Sequence, residues 1–208
     1  MGRIRAKGGA RNLARILTTM AWLWASGTLR VAWLRTCGVR VGHGVGVYGP
    51  IRIHGDPRRV TIGDGCSLHR GVTLWTHDYG PGYGRIVLGR EVTLLANVTI
   101  NSYERVEVGD HTALGDGCYL QDNDHGTEPG TPVMEQPSYG SPISIGRDVW
   151  LGARCIVLKG VAIGDGTVVG AGSVVVRSLP AGVVAVGVPA RPVKRRGGAT
   201  LESTPRAA

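Results

Sequence analysis

The chain has 208 residues, a formal charge of +9, 34 glycines, four cysteines and no phenylalanine. That length holds one domain with appendages, and so much glycine without a collagen period points to a turn-rich protein. The charge is unevenly placed. Residues 1–40 carry eight Lys/Arg and no acid, and residues 191–208 carry five against Glu202 alone, which leaves eleven basic and fourteen acidic side chains between them. A nucleic-acid binder would show its basic face on the folded body, so nucleic acid is set aside as a partner. Basic ends suit an anionic cofactor tail or an anionic membrane surface. Cys37, Cys66, Cys118 and Cys155 have no C-x-x-C spacing, so neither a zinc ribbon nor a redox pair is signalled, and free thiols in a reducing compartment are expected.

Residues 1–9 are basic and glycine-bearing and read as disordered. Residues 10–37 place Leu13, Ile16, Leu17, Met20, Leu23 and Trp24 at three- and four-residue steps, which predicts a helix. Only fourteen uncharged residues separate Arg15 from Arg30, short of the roughly 20 that a membrane span requires. The pattern resumes at Leu29–Leu34 without a cleavage-site break, so no signal peptide is assigned. This helix is expected to pack on the end of the next domain or on a neighbouring subunit. A cytoplasmic location is expected, and a peripheral membrane contact through Trp22, Trp24 and Trp33, the second reading, would place the protein at the inner face of the membrane.

From Val39 a six-residue recurrence takes over. Val41, Val47 and Ile53 begin it, followed by Ile62, Leu68 and Leu74. Residues 76–86 interrupt it as a loop. Leu88, Leu94, Ile100 and Val106 resume it, and after a two-residue slip come Val108, Leu114 and Leu120. A larger loop spans 121–142. The most regular run is Ile145, Leu151, Val157, Ile163, Val169 and Val175, four of them followed by glycine. Neither a helical period of 3.6 nor a strand period of 2 produces this pattern. A short fixed repeat marks a solenoid, in which each unit buries its apolar side by stacking on the next. The small residues two places before several aliphatic ones, among them Cys66, Cys118 and Cys155, read as filler of a narrow interior. The fold read from these residues is a parallel β-helix over 39–190, after an arm at 1–38. Pro180, Pro189 and Pro192 mark an exit strand, and 191–208 read as a basic disordered tail.

Within that pattern, the units Ile-Gly-Asp-Gly-Thr-Val and Val-Gly-Ala-Gly-Ser-Val resemble the hexapeptide repeat of left-handed β-helix acyltransferases. Val149–Ala153, Gly170–Val175 and Val186–Ala190 are similar to the C-terminal signature of the maltose/galactoside O-acetyltransferase group. The resemblance covers Val39 to Lys194. It supplies the left hand of the coil, since general topology rules favour right-handed crossovers. It also implies acetyl-CoA as acyl donor, no metal requirement, and a homotrimer whose sites are shared between neighbouring subunits.

The chemistry centres on the second loop. Moving an acetyl group from a thioester to a hydroxyl needs a base, and imidazole suits that task because its ordinary pKa is near neutral. His125, in Asp122-Asn123-Asp124-His125, lies 25 residues before Trp150, which matches the family's catalytic histidine. Asp122 and Asp124 are local candidates for holding its tautomer and lining the acceptor side. Asn97 matches a family position that faces the acceptor, or else it is a polar residue within a coil. Tyr83, Tyr103 and Asp110 are further acceptor-side candidates. By resemblance Trp150, Gly152, Ala153, Gly170 and Ala171 line the pantetheine arm, and Arg177, Arg191 and Lys194 meet the phosphates of coenzyme A; the alternative is ordinary solvated charge. His43, His54, His69, His77 and His111 lack the paired spacing of a zinc site. The expected function is O-acetylation of a sugar or glycoside hydroxyl by direct transfer. N-acetylation of an amino sugar or xenobiotic, and a non-catalytic scaffold, are the alternatives.

Overall fold

A computed structural model describes residues 27–78 and 83–198. The expectations for 1–26, 79–82 and 199–208 lie outside them. Residues 27–36 form a helix, α1, that turns Val31 and Leu34 inward and leaves Leu29 and Trp33 exposed. No helix among the described residues is long and apolar enough to cross a membrane.

After α1 the chain winds in coils of three short strands. The first coil holds β1 (Arg40–Val41), β2 (Gly46–Tyr48) and β3 (Arg52–Gly55), and the second β4 (Val60–Ile62), β5 (Ser67–His69) and β6 (Thr73–Thr76). The third holds β7 (Arg85–Leu88), β8 (Thr93–Leu94) and β9 (Thr99–Ser102), and the fourth β10 (Arg105–Val108), β11 (Ala113–Leu114) and β12 (Tyr119–Gln121). A hairpin of β13 (Asn123–His125) and β14 (Ser138–Gly140) intervenes. The fifth coil is β15 (Ile143–Ile145), β16 (Trp150–Leu151) and β17 (Ile156–Val157), and the sixth β18 (Ala162–Ile163), β19 (Val168–Val169) and β20 (Val174–Val175). Corresponding strands pair in parallel, giving three sheets that enclose a prism.

The six-residue recurrence is the register of those sheets. In the first sheet Ile62, Leu88, Val108, Ile145 and Ile163 stack in one column. Leu68, Leu94, Leu114, Leu151 and Val169 do so in the second. Leu74, Ile100, Leu120, Val157 and Val175 do so in the third. Every one of these side chains is buried. The residues two places earlier fill the corners. Cys66, Cys118 and Cys155 turn their thiols onto the carbonyls of Gly89, Gly152 and Gly170 in the next coil, at 3.0, 3.1 and 3.1 Å. The neighbouring Cys155 sulfur and burial together push the Cys118 thiol up, so it stays protonated. These cysteines are core filler with a satisfied S–H.

The first corner, between the first and second sheets, is stitched by aspartates. Asp110 accepts the Arg90 N–H at 2.8 Å and the Arg90 guanidinium at 2.8 Å. Asp64 accepts the His43 N–H at 2.7 Å, and Asp165 that of Arg147 at 2.8 Å. These bonds hold the Asp110 and Asp64 carboxyls below the usual carboxylate range. Asp110 therefore serves the stack at this corner, which corrects its reading as an acceptor-side residue.

Every irregularity falls at the third corner, where the third sheet returns to the first. Leu151 and Val169 are 18 residues apart, the minimum for three hexads. Leu94 and Leu114 are 20 apart, Val47 and Leu68 21, Leu68 and Leu94 26, and Leu114 and Leu151 37. The surplus residues are the 3-10 turn Pro57–Arg59, the first loop, the slip at Tyr103–Glu104 and the large second loop.

The C-terminal end departs from expectation. Residues 191–195 are not tail but most of β22 (Ala190–Arg195), paired antiparallel with β21 (Val183–Gly187), which itself pairs with β19. Proline is tolerated because it lies on the outermost strand, beside a register shift between Val184 and Ala185.

Two outcomes test this account. Leu114→Ala should cost about 2–5 kcal/mol in chemical denaturation, since the close-packed interior cannot collapse onto the void. Asp64 and Asp110 have depressed folded-state pKa values, so their stabilisation is complete above about pH 4 and is lost as pH falls through the folded values. Asp110→Asn should therefore flatten the drop in melting temperature on acidification below that point.

Candidate active site

The site is built on the second loop, which sequence reading treated as irregular. β13 and β14 pair antiparallel, with Asn123 opposite Gly140, Asp124 opposite Tyr139 and His125 opposite Ser138. Gln136 closes the rest of the loop: its Oε1 accepts the Glu128 N–H at 2.8 Å, and its amide donates to the carbonyls of Glu128 and Thr131 at 3.0 and 2.8 Å. No alternating pattern announces this hairpin, because three-residue strands are too short to show one.

Asp122 roots it. Its carboxylate accepts the N–H groups of Tyr103, Glu104 and Arg105 at 2.5, 2.9 and 2.7 Å. The side chain is 0% exposed, so it neither faces an acceptor nor touches the imidazole, and the expectation for Asp122 is corrected. The two-residue slip makes this arrangement: successive N–H groups form a nest for one carboxylate. The slip at Tyr103–Glu104, 19 and 18 residues before Asp122, was the signal that sequence reading left unused. The returning limb is fixed by Ser141 N–H to the Asp122 carbonyl at 2.8 Å and Gly160 N–H to the Ser141 carbonyl at 2.9 Å.

His125 is half-buried at the end of β13. Its Nδ1 faces the Ser138 hydroxyl at 3.5 Å, and Nε2 has no hydrogen-bond partner among the described residues. Asp124 projects from the other face of β13 and pairs with Lys159 at 2.9 Å. Below the hairpin runs an aromatic ladder. The rings of His54 and Trp75 are 5.3 Å apart, Trp75 and His77 stack at 5.1 Å, and Tyr103 meets His77 edge-on at 5.9 Å. The Tyr103 hydroxyl donates to the Ser138 carbonyl at 3.4 Å, and His77 Nε2 bonds Asn101 Oδ1 at 2.7 Å. Sequence reading set His77 aside with the other histidines and did not name Asn101 or Ser138.

The remaining candidates scatter over the prism. Tyr83 lies in the first loop, two coils earlier, with the Arg59 guanidinium 4.7 Å over its ring. It borders a cleft of about 590 Å³ shared with Asp56, Arg58 and Arg59. Asn97 occupies a left-handed turn at the second corner (φ 59°), a conformation asparagine tolerates better than most residues. Trp150 stands 57% exposed on the second sheet. Ala153 and Ala171 are exposed in successive coils of the second corner. Gly152 there is explained by stacking, since a Cβ would sit 2.5 Å from the Ala171 nitrogen. Arg177 is exposed at the third corner after β20, while Arg191 and Lys194 project from β22. His125 and the alanine ridge therefore occupy different edges of one prism, with the third sheet between them.

The comparisons with known proteins agree with this fold. Residues 142–177 match the family model described as the hexapeptide repeat of succinyl-transferase. A protein of Mycobacterium tuberculosis, named a probable acetyltransferase, is 37% identical over 70% of this chain and 48% of its own length. The galactoside O-acetyltransferase of Escherichia coli is 36% identical over 54% of this chain and 55% of its own length. The chain thus spans about half the length of these two. A further Escherichia coli protein, named for O-acetyl transfer in lipopolysaccharide biosynthesis, is 36% identical over 65% of this chain and 72% of its own length. Among solved structures, an N-acyltransferase from Bacillus cereus, in complex with dTDP-4-amino-4,6-dideoxyglucose and coenzyme A, superposes with a TM-score of 0.69 at 23% identity, covering 79% of this chain and 88% of that one. A maltose O-acetyltransferase from Clostridium difficile gives a TM-score of 0.58 at 26% identity, covering 80% and 74%. The chain belongs to the hexapeptide-repeat, left-handed β-helix acyltransferases, in the group of the maltose and galactoside O-acetyltransferases.

Removing the Asp122 carboxylate should be costly, since three N–H groups would lose their acceptor inside the fold. Asp122→Ala is expected to lower stability by about 3 kcal/mol or more in urea denaturation.

Proposed function

We propose that the protein transfers an acetyl group from acetyl-CoA to a hydroxyl of a sugar or glycoside, with His125 as general base. One observation carries the reading. In a chain of this family, an imidazole stands on a braced hairpin with Nδ1 facing the Ser138 hydroxyl and Nε2 without a partner among the described residues. In the reaction, Nε2 takes the acceptor's hydroxyl proton as the oxygen attacks the thioester carbonyl. The C–O bond forms, the tetrahedral intermediate collapses with loss of the C–S bond, and the imidazolium returns its proton to the thiolate of coenzyme A. No acyl-enzyme is required. Backbone N–H groups would stabilise the oxyanion.

The carbohydrate acceptor is supported by the names of the galactoside and maltose relatives and by the exposed Trp75 ring of the aromatic ladder, since rings offer flat apolar faces to sugars. For the donor, Ala153 and Ala171 leave an open ridge that a pantetheine arm could follow, and Arg191 and Lys194 supply charge for phosphates. Because this ridge and His125 lie on different edges, a donor on one copy would meet the histidine of a neighbour, which is why a homotrimer belongs to the proposal. Light scattering at a monomer mass would remove that part. The acid-free, basic N-terminal region and exposed Trp33 suit contact with an anionic membrane at its inner face.

The test is thiol release from acetyl-CoA across sugars, amino sugars and glycosides. Release with hydroxyl acceptors is expected, and His125→Ala should reduce it by about 10²–10⁴-fold with the assembly intact. Release with amines alone would transfer the reading to N-acetylation, and retained turnover in the variant would remove His125 from its role.

A further inference from the structure

A base histidine needs a second group to fix its ring and tautomer, and the carboxylates flanking His125 are the obvious candidates. Neither is available. Asp122 is buried beneath the hairpin, with its oxygens on the N–H groups of Tyr103, Glu104 and Arg105. Asp124 projects from the opposite face of β13, where Lys159 holds it at 2.9 Å. What stands against Nδ1 is the Ser138 hydroxyl, from the residue directly across the hairpin.

We propose that Ser138 is the positioning residue for His125, so that a hydroxyl orients the base where a carboxylate often does. The inference rests on His125 acting as the base. The register makes the contact, because residues directly opposite in an antiparallel pair bring their side chains together. The 3.5 Å separation is at the long end, as catalytic contacts often are before substrate binds. Ser138 is itself held from below, through the Tyr103 hydroxyl on its carbonyl at 3.4 Å. The chemistry fixes the direction of the bond. For Nε2 to accept a proton, Nδ1 must carry one, so Nδ1–H donates and the Ser138 oxygen accepts. The reverse arrangement would place the proton on Nε2 and disable the base. The other titratable groups on the packed elements are Tyr103, whose hydroxyl points to the Ser138 carbonyl, Tyr139 on β14 opposite Asp124, Glu104 beside Gly140, and the Asp124–Lys159 pair on the far face.

A hydroxyl orients the ring without adding a negative charge, and this gives the test its discriminating readout. Acetyl transfer would be measured as a function of pH and acceptor concentration for Ser138→Ala, Ser138→Thr and Ser138→Asp, with His125→Ala alongside. Ser138→Ala should lower kcat by about tenfold with little change in acceptor KM, the loss of one hydrogen bond made to the reacting group. Ser138→Thr, which keeps the hydroxyl, should recover most of it. Ser138→Asp places a carboxylate on Nδ1 and favours the charged imidazolium, so the acid limb of kcat/KM should move up by about one pH unit. Equal losses in Ser138→Ala and Ser138→Thr, with the acid limb unmoved in Ser138→Asp, would reduce Ser138 to a structural role and overturn the proposal. So would full activity in Ser138→Ala. Unimpaired turnover in His125→Ala would instead overturn the base assignment on which the proposal stands. Melting temperatures of the three Ser138 variants separate loss of positioning from loss of fold.

Discussion

The structure depends on the width of its own interior. Three sheets meeting at short corners leave room in each coil for one aliphatic column residue per sheet and a second inward residue two places earlier, among them Ile86, Val92, Cys118 and Ser173. Columns such as Leu68–Leu94–Leu114–Leu151–Val169 fill that space. Parallel hydrogen bonding sets successive coils about 4.8 Å apart, so a side chain of the wrong size would disturb the coils on both sides. Phenylalanine has no place in such an interior. Thiols and hydroxyls do, provided that each finds a carbonyl in the next coil, as Cys118 and Thr112 do on Gly152 and Gly146.

The same constraint decides where function can be added. Two corners are held to tight two-residue turns, the first by its aspartate stitches and the second by its column of left-handed residues. Extra chain leaves only at the third. Loops there can grow without disturbing the stack, because the sheets resume in register on either side. His125 is therefore carried by a hairpin that has no core of its own but is braced by rigid coils above and below. Asp122 shows how tightly that bracing is made. A carboxylate that could have served catalysis is spent on three backbone N–H groups, and the hairpin gains a fixed root.

That expenditure shapes the chemistry of the site. With Asp122 consumed below and Asp124 paired on the far face, the imidazole is left with a neutral neighbour. Under the proposed mechanism the imidazolium would have no free carboxylate of β13 beside it and would return its proton to the departing thiolate of the donor. The second consequence is geometric. The alanine ridge and the histidine belong to different edges of the prism, so one copy of the chain does not by itself bring a donor on the ridge to the base.

The sequence by itself determined the β-helix. A six-residue period has few physical solutions, and Ile145, Leu151 and Val157 announce the fifth coil plainly, with Val41, Val47 and Ile53 announcing the first more loosely. The choice of His125 came from the resemblance to a family, whose catalytic histidine its spacing to Trp150 matches, and not from the residues alone. Sequence reading misjudged residues 191–195, because a basic run with a proline reads as tail unless the exposed sheet edge it covers is visible. It could not separate Asp122 from Asp124, or see Ser138 at all. Those assignments depend on which residues the slip at 103–104 and the pairing of β13 with β14 bring face to face. Periodic burial is written along the chain, one residue in six. A contact between Asp122 and a nest from the preceding coil, or between His125 and a residue thirteen positions on, exists only once the coils have stacked.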